Sequence, residues 1–304
     1  MYHFSFEISI ETNEGISFYT FTGKDSCAFF DFNTSFQDNR LIATIIPKTK
    51  FRVLSTKTKI PMSCEKNDRI LLNGYQSWTD TRELTLKDRL VGINSIPKKL
   101  AQKYGFENYG DYPFVKYSGK KGELHGFTFG YIRHNDVINF VGSLDESKAY
   151  TILKYSGKKQ LLSIEKDCYG LEIIKDFEIC DVALLSGEYD YVFDKWFEMQ
   201  EKYHNFKKTN TKPMCGYTSW YRHYENISED TIKNDLAGVL TLSQKIDIFQ
   251  IDDGYETAVG DWLSIDEKKF PKGIKNLCDE IHSQNILAGL WLAPFVCETK
   301  SEIF

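Results

Sequence analysis

The hydrophobic period of this chain changes once, near residue 188, and that change divides what the two parts can fold into. From residue 1 to about 185, short runs alternate apolar and polar residues. The first is Met1-Tyr2-His3-Phe4-Ser5-Phe6-Glu7-Ile8-Ser9-Ile10-Glu11. A period of two marks a strand with one face in a core. Turn-forming segments separate the runs, among them Thr12-Asn13-Glu14-Gly15, Phe21-Thr22-Gly23-Lys24-Asp25 and Arg133-His134-Asn135-Asp136. Many short strands with such turns predict an antiparallel β-sandwich or a β-barrel over residues 1–187. The hexapeptide Lys-Tyr-Ser-Gly-Lys-Lys occurs at 116–121 and again at 154–159. Its flanks differ, so it reads as one polar turn used twice.

Beyond 188 the pattern is different. Val192, Trp196, Met199 and Tyr203 fall on one face of a helix. Trp196 reads as a core residue of that face. The polar stretch Lys207-Lys208-Thr209-Asn210-Thr211-Lys212-Pro213 follows, so residues 188–212 are expected to be a helix and linker. From Pro213 strands and helices alternate. Apolar strands are expected over 214–219, 246–251 and 286–293, the last buried on both faces as in a parallel sheet. Between them, Asn226-Ile227-Ser228-Glu229 resembles a capping box ahead of a helix carrying Ile232, Leu236, Val239 and Leu240. Pro271 is expected to open a second helix with Ile274, Leu277, Cys278 and Ile281 on its inner face. Strand–helix alternation of this kind fits an α/β barrel or a doubly wound sheet. For a barrel, residues 213–304 supply three strands in roughly 90 residues, against about 250 for a closed (β/α)8 barrel. The expected fold is therefore multidomain: an N-terminal antiparallel β-sandwich followed by the first three βα units of an incomplete TIM barrel. On this count the sequence reads as the front piece of a larger protein, or as one half of a split one.

The 304 residues carry a net charge of -5, which argues against nucleic acid as a partner. No apolar run approaches the roughly 18 residues that span a bilayer, so no membrane partner is implied. The N-terminus has neither a basic nor an apolar leader region, and the seven cysteines include no C-x-x-C. Reduced thiols in a cytoplasm are the expected state. The six histidines include no H-x-x-x-H spacing, so no structural zinc site is expected.

Chemistry concentrates where tryptophans meet polar residues. Four of the five tryptophans sit in such clusters, at Trp78, Trp220, Trp262 and Trp291. Trp220 and Trp291 end expected barrel strands, the end where barrel sites are built. The second strand ends in Ile251-Asp252-Asp253-Gly254-Tyr255. Adjacent carboxylates after a buried strand must be paired, hydrated or bound to a ligand. A calcium loop would need further spaced oxygen ligands that the sequence lacks. A solvated loop is the plainer alternative. Carboxylates accept hydrogen bonds from hydroxyls, and the C–H face of a sugar packs on a flat aromatic. The residues by themselves point to a carbohydrate site.

Five segments, Gly216-Tyr-Thr-Ser-Trp-Tyr221, Phe249-Gln-Ile-Asp-Asp-Gly-Tyr255, Gly260-Asp-Trp-Leu263, Phe270-Pro-Lys-Gly273 and Gly289-Leu-Trp-Leu-Ala-Pro-Phe295, carry a closer likeness. In order and spacing they resemble the α-galactosidases of glycoside hydrolase family 36. Asn73-Gly-Tyr-Gln-Ser-Trp78 is similar to that family's N-terminal sandwich loop. The resemblance implies that Asp252 and Asp253 hold galactose hydroxyls. It makes Trp220, Trp291 and Tyr221 walls of the sugar pocket, and Trp78 a residue lent by the sandwich. Asp261 and Trp262 match a family motif that fixes a loop. The family is a retaining one. Its nucleophile, in a Lys-x-Asp motif ending strand four, and its later acid/base Asp are expected beyond Phe304. The 304 residues alone are expected to be inactive and to need no cofactor. The implied partners are an α-galactoside oligosaccharide and either a homo-oligomeric copy or a complementing C-terminal chain. Two other readings stay open. One is a non-catalytic chain that binds sugar weakly. The other is related chemistry on the same scaffold, an α-N-acetylgalactosaminidase or a galactosyl transferase.

Overall fold

The computed structural model describes residues 3–76, 79–106, 111, 115–204 and 212–304. Trp78 lies outside the described residues, so its expected role has no structural counterpart here. The chain divides into two compact units, Met1–Lys208 and Thr209–Phe304.

Thirteen antiparallel strands lead the first unit: β1 (Ser5–Thr12), β2 (Gly15–Phe21), β3 (Asp25–Ser26), β4 (Phe30–Gln37), β5 (Arg40–Pro47), β6 (Phe51–Pro61), β7 (Arg69–Leu72), β8 (Glu123–Phe127), β9 (Phe129–His134), β10 (Val137–Ser143), β11 (Thr151–Ser156), β12 (Leu161–Lys166) and β13 (Leu171–Ile173). They are followed by β14 (Phe177–Gly187). A short helix, α1 (Lys98–Lys103), lies between β7 and β8. One sheet runs β2-β1-β6-β12-β11-β8 with β13 also on β6, and the other runs β3-β4-β5-β14-β10-β9-β7. Phe6, Ile8 and Ile10 of one sheet and Phe30, Phe32, Leu41 and Ile45 of the other share a single buried core. The alternation seen in the sequence thus produces the expected sandwich.

One strand breaks the alternation for a reason. In β14, Val182 and Leu184 enter the core between the sheets. Ala183 and Leu185 face outward beneath α2 (Tyr189–His204), packing with Val192, Trp196 and Met199. Both faces of β14 are therefore covered, and its sequence is apolar nearly throughout. Trp196 is a core residue, 5% exposed, and its indole Nε1 donates to the Ser143 carbonyl at 3.0 Å. The two hexapeptides are not one turn used twice. Lys154–Ser156 ends β11, whereas residues 116–118 lie outside regular structure. They converge on one cleft of about 290 Å³, where the Gly157 N–H donates to the Gly122 carbonyl at 2.8 Å.

The second unit holds a parallel sheet, β15 (Gly216–Thr218), β16 (Ile248–Ile251) and β17 (Leu287–Leu290), in that order. Between β15 and β16 lie α3 (Trp220–His223) and α4 (Glu229–Leu240), and α5 (Gly273–Ser283) precedes β17. Gly216 allows β15 and β16 to approach, since a Cβ there would sit 2.3 Å from Ile248 Cγ2. Ile232 and Leu236 of α4, Phe249 and Ile251 of β16, and Ile274, Leu277 and Ile281 of α5 form the core.

Local details depart from the sequence reading. The N-cap of α4 is Ser228, whose hydroxyl accepts from the Thr231 N–H at 3.3 Å, so the capping residue is not Asn226. Leu240 ends that helix 47% exposed. The α5 helix starts at Gly273, two residues past Pro271. Strand β17 is not buried on both faces. Ala288 packs on the core, but Leu287 is 55% and Leu290 40% exposed. Among the described residues β16 is the sole strand paired with it, which leaves β17 at an edge.

Candidate functional site

The C-terminal ends of the three parallel strands carry the polar and aromatic residues that the sequence singled out. Ser219 and Trp220 follow β15, Asp252 and Asp253 follow β16, and Trp291 follows β17. Ser219, Asp252 and Trp291 are held by the strand end next to them. The Ser219 hydroxyl accepts the Asp252 N–H at 3.0 Å. The Thr218 hydroxyl and the Gln250 amide donate to Asp252 Oδ2 at 2.7 and 2.8 Å. The Trp291 N–H donates to the Ile251 carbonyl at 3.0 Å, and the Tyr255 hydroxyl to the Trp291 carbonyl at 3.2 Å.

The chain turns sharply after the two aspartates. Gly254 has φ +106°, and a Cβ there would lie 2.5 Å from the Glu225 carbonyl. A side chain at this position would be strained and would clash. The turn brings Glu256 back toward Asp253, and Glu256 Oε2 accepts the Gly254 N–H at 3.3 Å. Asp252, Asp253 and Glu256 are 6%, 8% and 7% exposed. No ion pair among the described residues includes any of the three. The nearest lysine spends itself elsewhere: Lys269 Nζ donates to the Gly254 carbonyl at 2.8 Å and to the Glu225 carbonyl at 3.0 Å. Burial, followed by the hydrogen bond to Glu256 and its charge, pushes Asp253 up to about 7. Burial and the charges of Glu256 and Asp253 raise the Tyr255 phenol to about 12.

The aromatic residues divide. The Trp291 ring meets Trp262 edge to face, with centroids 5.9 Å apart. Trp220 is half-buried and meets Tyr224 edge to face at 5.3 Å. Tyr221 is 85% exposed. Asp261 ties down a loop, accepting from the Ser301 hydroxyl at 2.6 Å and the Glu302 N–H at 3.0 Å. No group of His, Cys, Asp and Glu among the described residues is arranged to hold a metal ion.

Residues 191–304 match the Melibiase family model. The resemblance to the α-galactosidases holds. The chain is similar to α-galactosidase Mel36A of Lactobacillus acidophilus, 28% identical over 93 residues, a stretch covering 28% of this chain and 12% of that protein. α-Galactosidase AgaA of Geobacillus stearothermophilus is 20% identical over 252 residues, covering 76% of this chain and 31% of its own. Among solved structures, the α-galactosidase TtGalA of Thermus thermophilus, in complex with p-nitrophenyl α-D-galactopyranoside, matches 98% of this chain with a TM-score of 0.60 at 19% identity. The chain spans 51% of that structure's length.

Two residues of the Melibiase segment escaped the sequence reading. Glu256 is one. Its signal, a third carboxylate three residues after a buried pair, is visible only once Gly254 is seen to reverse the chain. Asp235 is the other. It is 4% exposed on α4 and accepts from the Tyr217 hydroxyl at 2.6 Å, Arg222 Nη1 at 2.8 Å and His223 Nε2 at 2.6 Å. It thereby anchors α3, the element that carries Trp220. Burial and the Asp235 hydrogen bond raise the Tyr217 phenol above its ordinary value.

Proposed function

We propose that this chain recognises the galactosyl group of an α-galactoside and is the front part of a retaining α-galactosidase. The parallel sheet is read as the first three βα units of a (β/α)8 barrel. The observation that carries the reading is the set of cation-free buried carboxylates at the C-terminal end of β16, between strand ends that bear Trp220 and Trp291. Carboxylates accept sugar hydroxyls, and tryptophan rings cover the sugar's apolar face. The family match supports the same assignment.

The local geometry also argues that these carboxylates bind and do not cleave. A retaining pair stands about 5 to 5.5 Å apart, with the scissile bond between. Asp252 is held by Thr218 and Gln250. The family resemblance assigns the nucleophile and the acid/base to chain outside these 304 residues. The enzyme they complete hydrolyses terminal α-galactosyl groups.

Saturation-transfer NMR with methyl α-D-galactoside and methyl α-D-glucoside tests the recognition. The galactoside is expected to bind and the glucoside to bind far more weakly. Equal binding of the two would overturn the reading. In a protein extended to a complete barrel, Asp253→Ala or Trp291→Ala is expected to lower kcat/KM on aryl α-galactosides about ten- to hundredfold. The intact mass of the native gene product tests the front-part assignment. A mass equal to 304 residues would require a second chain bearing the catalytic carboxylates.

A further inference from the structure

Among the described residues, the sheets of the sandwich end at several edge strands, and all but one of these carry a guard. An edge strand leaves a row of backbone N–H and C=O groups unpaired, and proteins blunt it with shortness, charge or a covering segment. Strand β3 is two residues long and contains Asp25, and β13 is three residues long and contains Glu172. Strand β7 is covered by Leu84, which exchanges two hydrogen bonds with Ile70, both at 2.8 Å. Strand β8 is met by Asn73, whose carbonyl accepts the Phe127 N–H at 2.8 Å. Strand β2 ends its sheet with none of these devices. Its seven residues, Gly-Ile-Ser-Phe-Tyr-Thr-Phe, include no charge and no proline. Its inner face is anchored: Phe21 stacks on Phe32 at 4.7 Å, and Tyr19 meets Phe30 edge to face at 5.2 Å. Its outer face is bare. Ile16 and Phe18, two residues apart and so on one face, are 57% and 79% exposed.

The residues around β2 select what pairs with it. Exposed Glu14 precedes the strand and exposed Lys24 follows it. Among the described residues neither joins an ion pair. A second β2 running antiparallel, with Phe18 facing Phe18, places Ile16 opposite Thr20 and Glu14 diagonally across from Lys24. Each end of the pair then carries opposite charges within reach of long side chains, and the two Phe18 rings cover each other. An uncharged strand with opposite charges at its two ends is complementary to its own copy reversed. We propose that β2 is the docking edge for a second copy of this chain: two β2 strands pair antiparallel about a twofold axis at Phe18 and join two sandwiches through one continuous sheet. The contact is the same patch on both copies, so it closes at the dimer. A single strand pair stands at the small end of specific interfaces, and the dimer is expected to dissociate on dilution.

Sedimentation velocity on the full chain tests the proposal. The apparent mass is expected to rise from one chain toward two as concentration is raised to about 100 µM. Phe18→Lys and Phe18→Glu each set like charges opposite one another on the axis, and each is expected to weaken the dimer at least about tenfold. Phe18 is 79% exposed, so neither substitution should move the urea midpoint of the sandwich, and loss of the dimer is then not loss of the fold. An equimolar mixture of the two variants sets opposite charges on the axis and is expected to recover the dimer. A chain that stays monomeric at about 100 µM overturns the proposal. So does a dimer that both variants leave intact, which would place the association on another surface, such as the edge at β17. A mixture that fails to recover the dimer means that Phe18 does not face its own copy, and it overturns the twofold pairing.

Discussion

In the sandwich unit, buried carboxylates are met by basic side chains. Asp181 is 2% exposed and takes two hydrogen bonds from the Arg40 guanidinium, at 2.8 and 2.7 Å. Asp111 meets His125 at 2.5 Å, and Asp68 meets His134 at 2.7 Å. In the parallel unit Asp235 follows the same rule with Arg222 and His223. At the end of β16, Asp252, Asp253 and Glu256 do not. A buried charge is costly unless it is paired, neutralised or given a ligand. The first solution serves the fold. Under the proposed function the second and third serve a molecule that brings hydroxyls, and among the described residues they meet at the strand ends.

Breaking a paired carboxylate is expected to have the largest effect on stability. Asp181→Ala strands the Arg40 guanidinium and should cost the sandwich about 3–5 kcal/mol, read as a lowered urea midpoint of its transition. Asp253→Ala should cost the parallel unit far less, since it removes a group with no cation to strand. Equal losses would end the distinction between the two kinds of carboxylate. Asp235→Ala is expected to fall between them, at about 1–3 kcal/mol. It leaves the Tyr217 hydroxyl without its acceptor, while Arg222, 68% exposed, returns to water. Because Asp235 also ties down α3, its loss should change the fluorescence of Trp220. An unchanged spectrum would show that α3 is held by other contacts.

The exposed residues of β17 and of the segment after it sharpen the comparison further. Leu287, Leu290, Leu292 and Phe295 are 55%, 40%, 49% and 98% exposed, whereas the sandwich core residues Phe6, Phe30 and Phe32 are at 0%. Two separate urea transitions are expected, the parallel unit melting first and less sharply. A single sharp transition for both would count against this.

What the sequence disclosed follows from range. The period-two runs predicted the sandwich because each strand's pattern is local, β14 apart. The helix face of Val192, Trp196 and Met199 was equally plain. Asp252 and Asp253 stood out because two acids ended an apolar strand. Other features depend on contacts between distant residues. Asp235 was hidden on α4, a helix read through Ile232 and Leu236, and its three donors come from residues 217–223. Asn226 and Ser228 both suit a cap by type, and only the backbone decides for Ser228. The exposure of β17 depends on what packs against it, which an apolar run cannot specify.

The smallest expected effect is the one that separates two carboxyls, Glu83 and Asp253, by sign. Glu83, in the sandwich, is held below its ordinary value by the Arg133 guanidinium. A lowered carboxyl stabilises the fold above its ordinary range, and that contribution is lost as pH falls. Asp253 is raised, from 3.8 to about 7. A raised carboxyl contributes fully below about pH 4, and its contribution disappears as pH climbs through about 7. Glu229 and Glu298 of the same unit are lowered, by Lys233 and Lys300 respectively, so they act only at or below the ordinary carboxylate range. Between pH 5 and pH 8, then, the parallel unit should weaken in urea as pH rises, while the Glu83–Arg133 pair gives the sandwich no such slope. Asp253→Asn should flatten the slope of the parallel unit, because its amide can donate to Glu256 at any pH. A slope that survives this substitution would move the proton to another group and leave Asp253 an ordinary, ionised carboxylate.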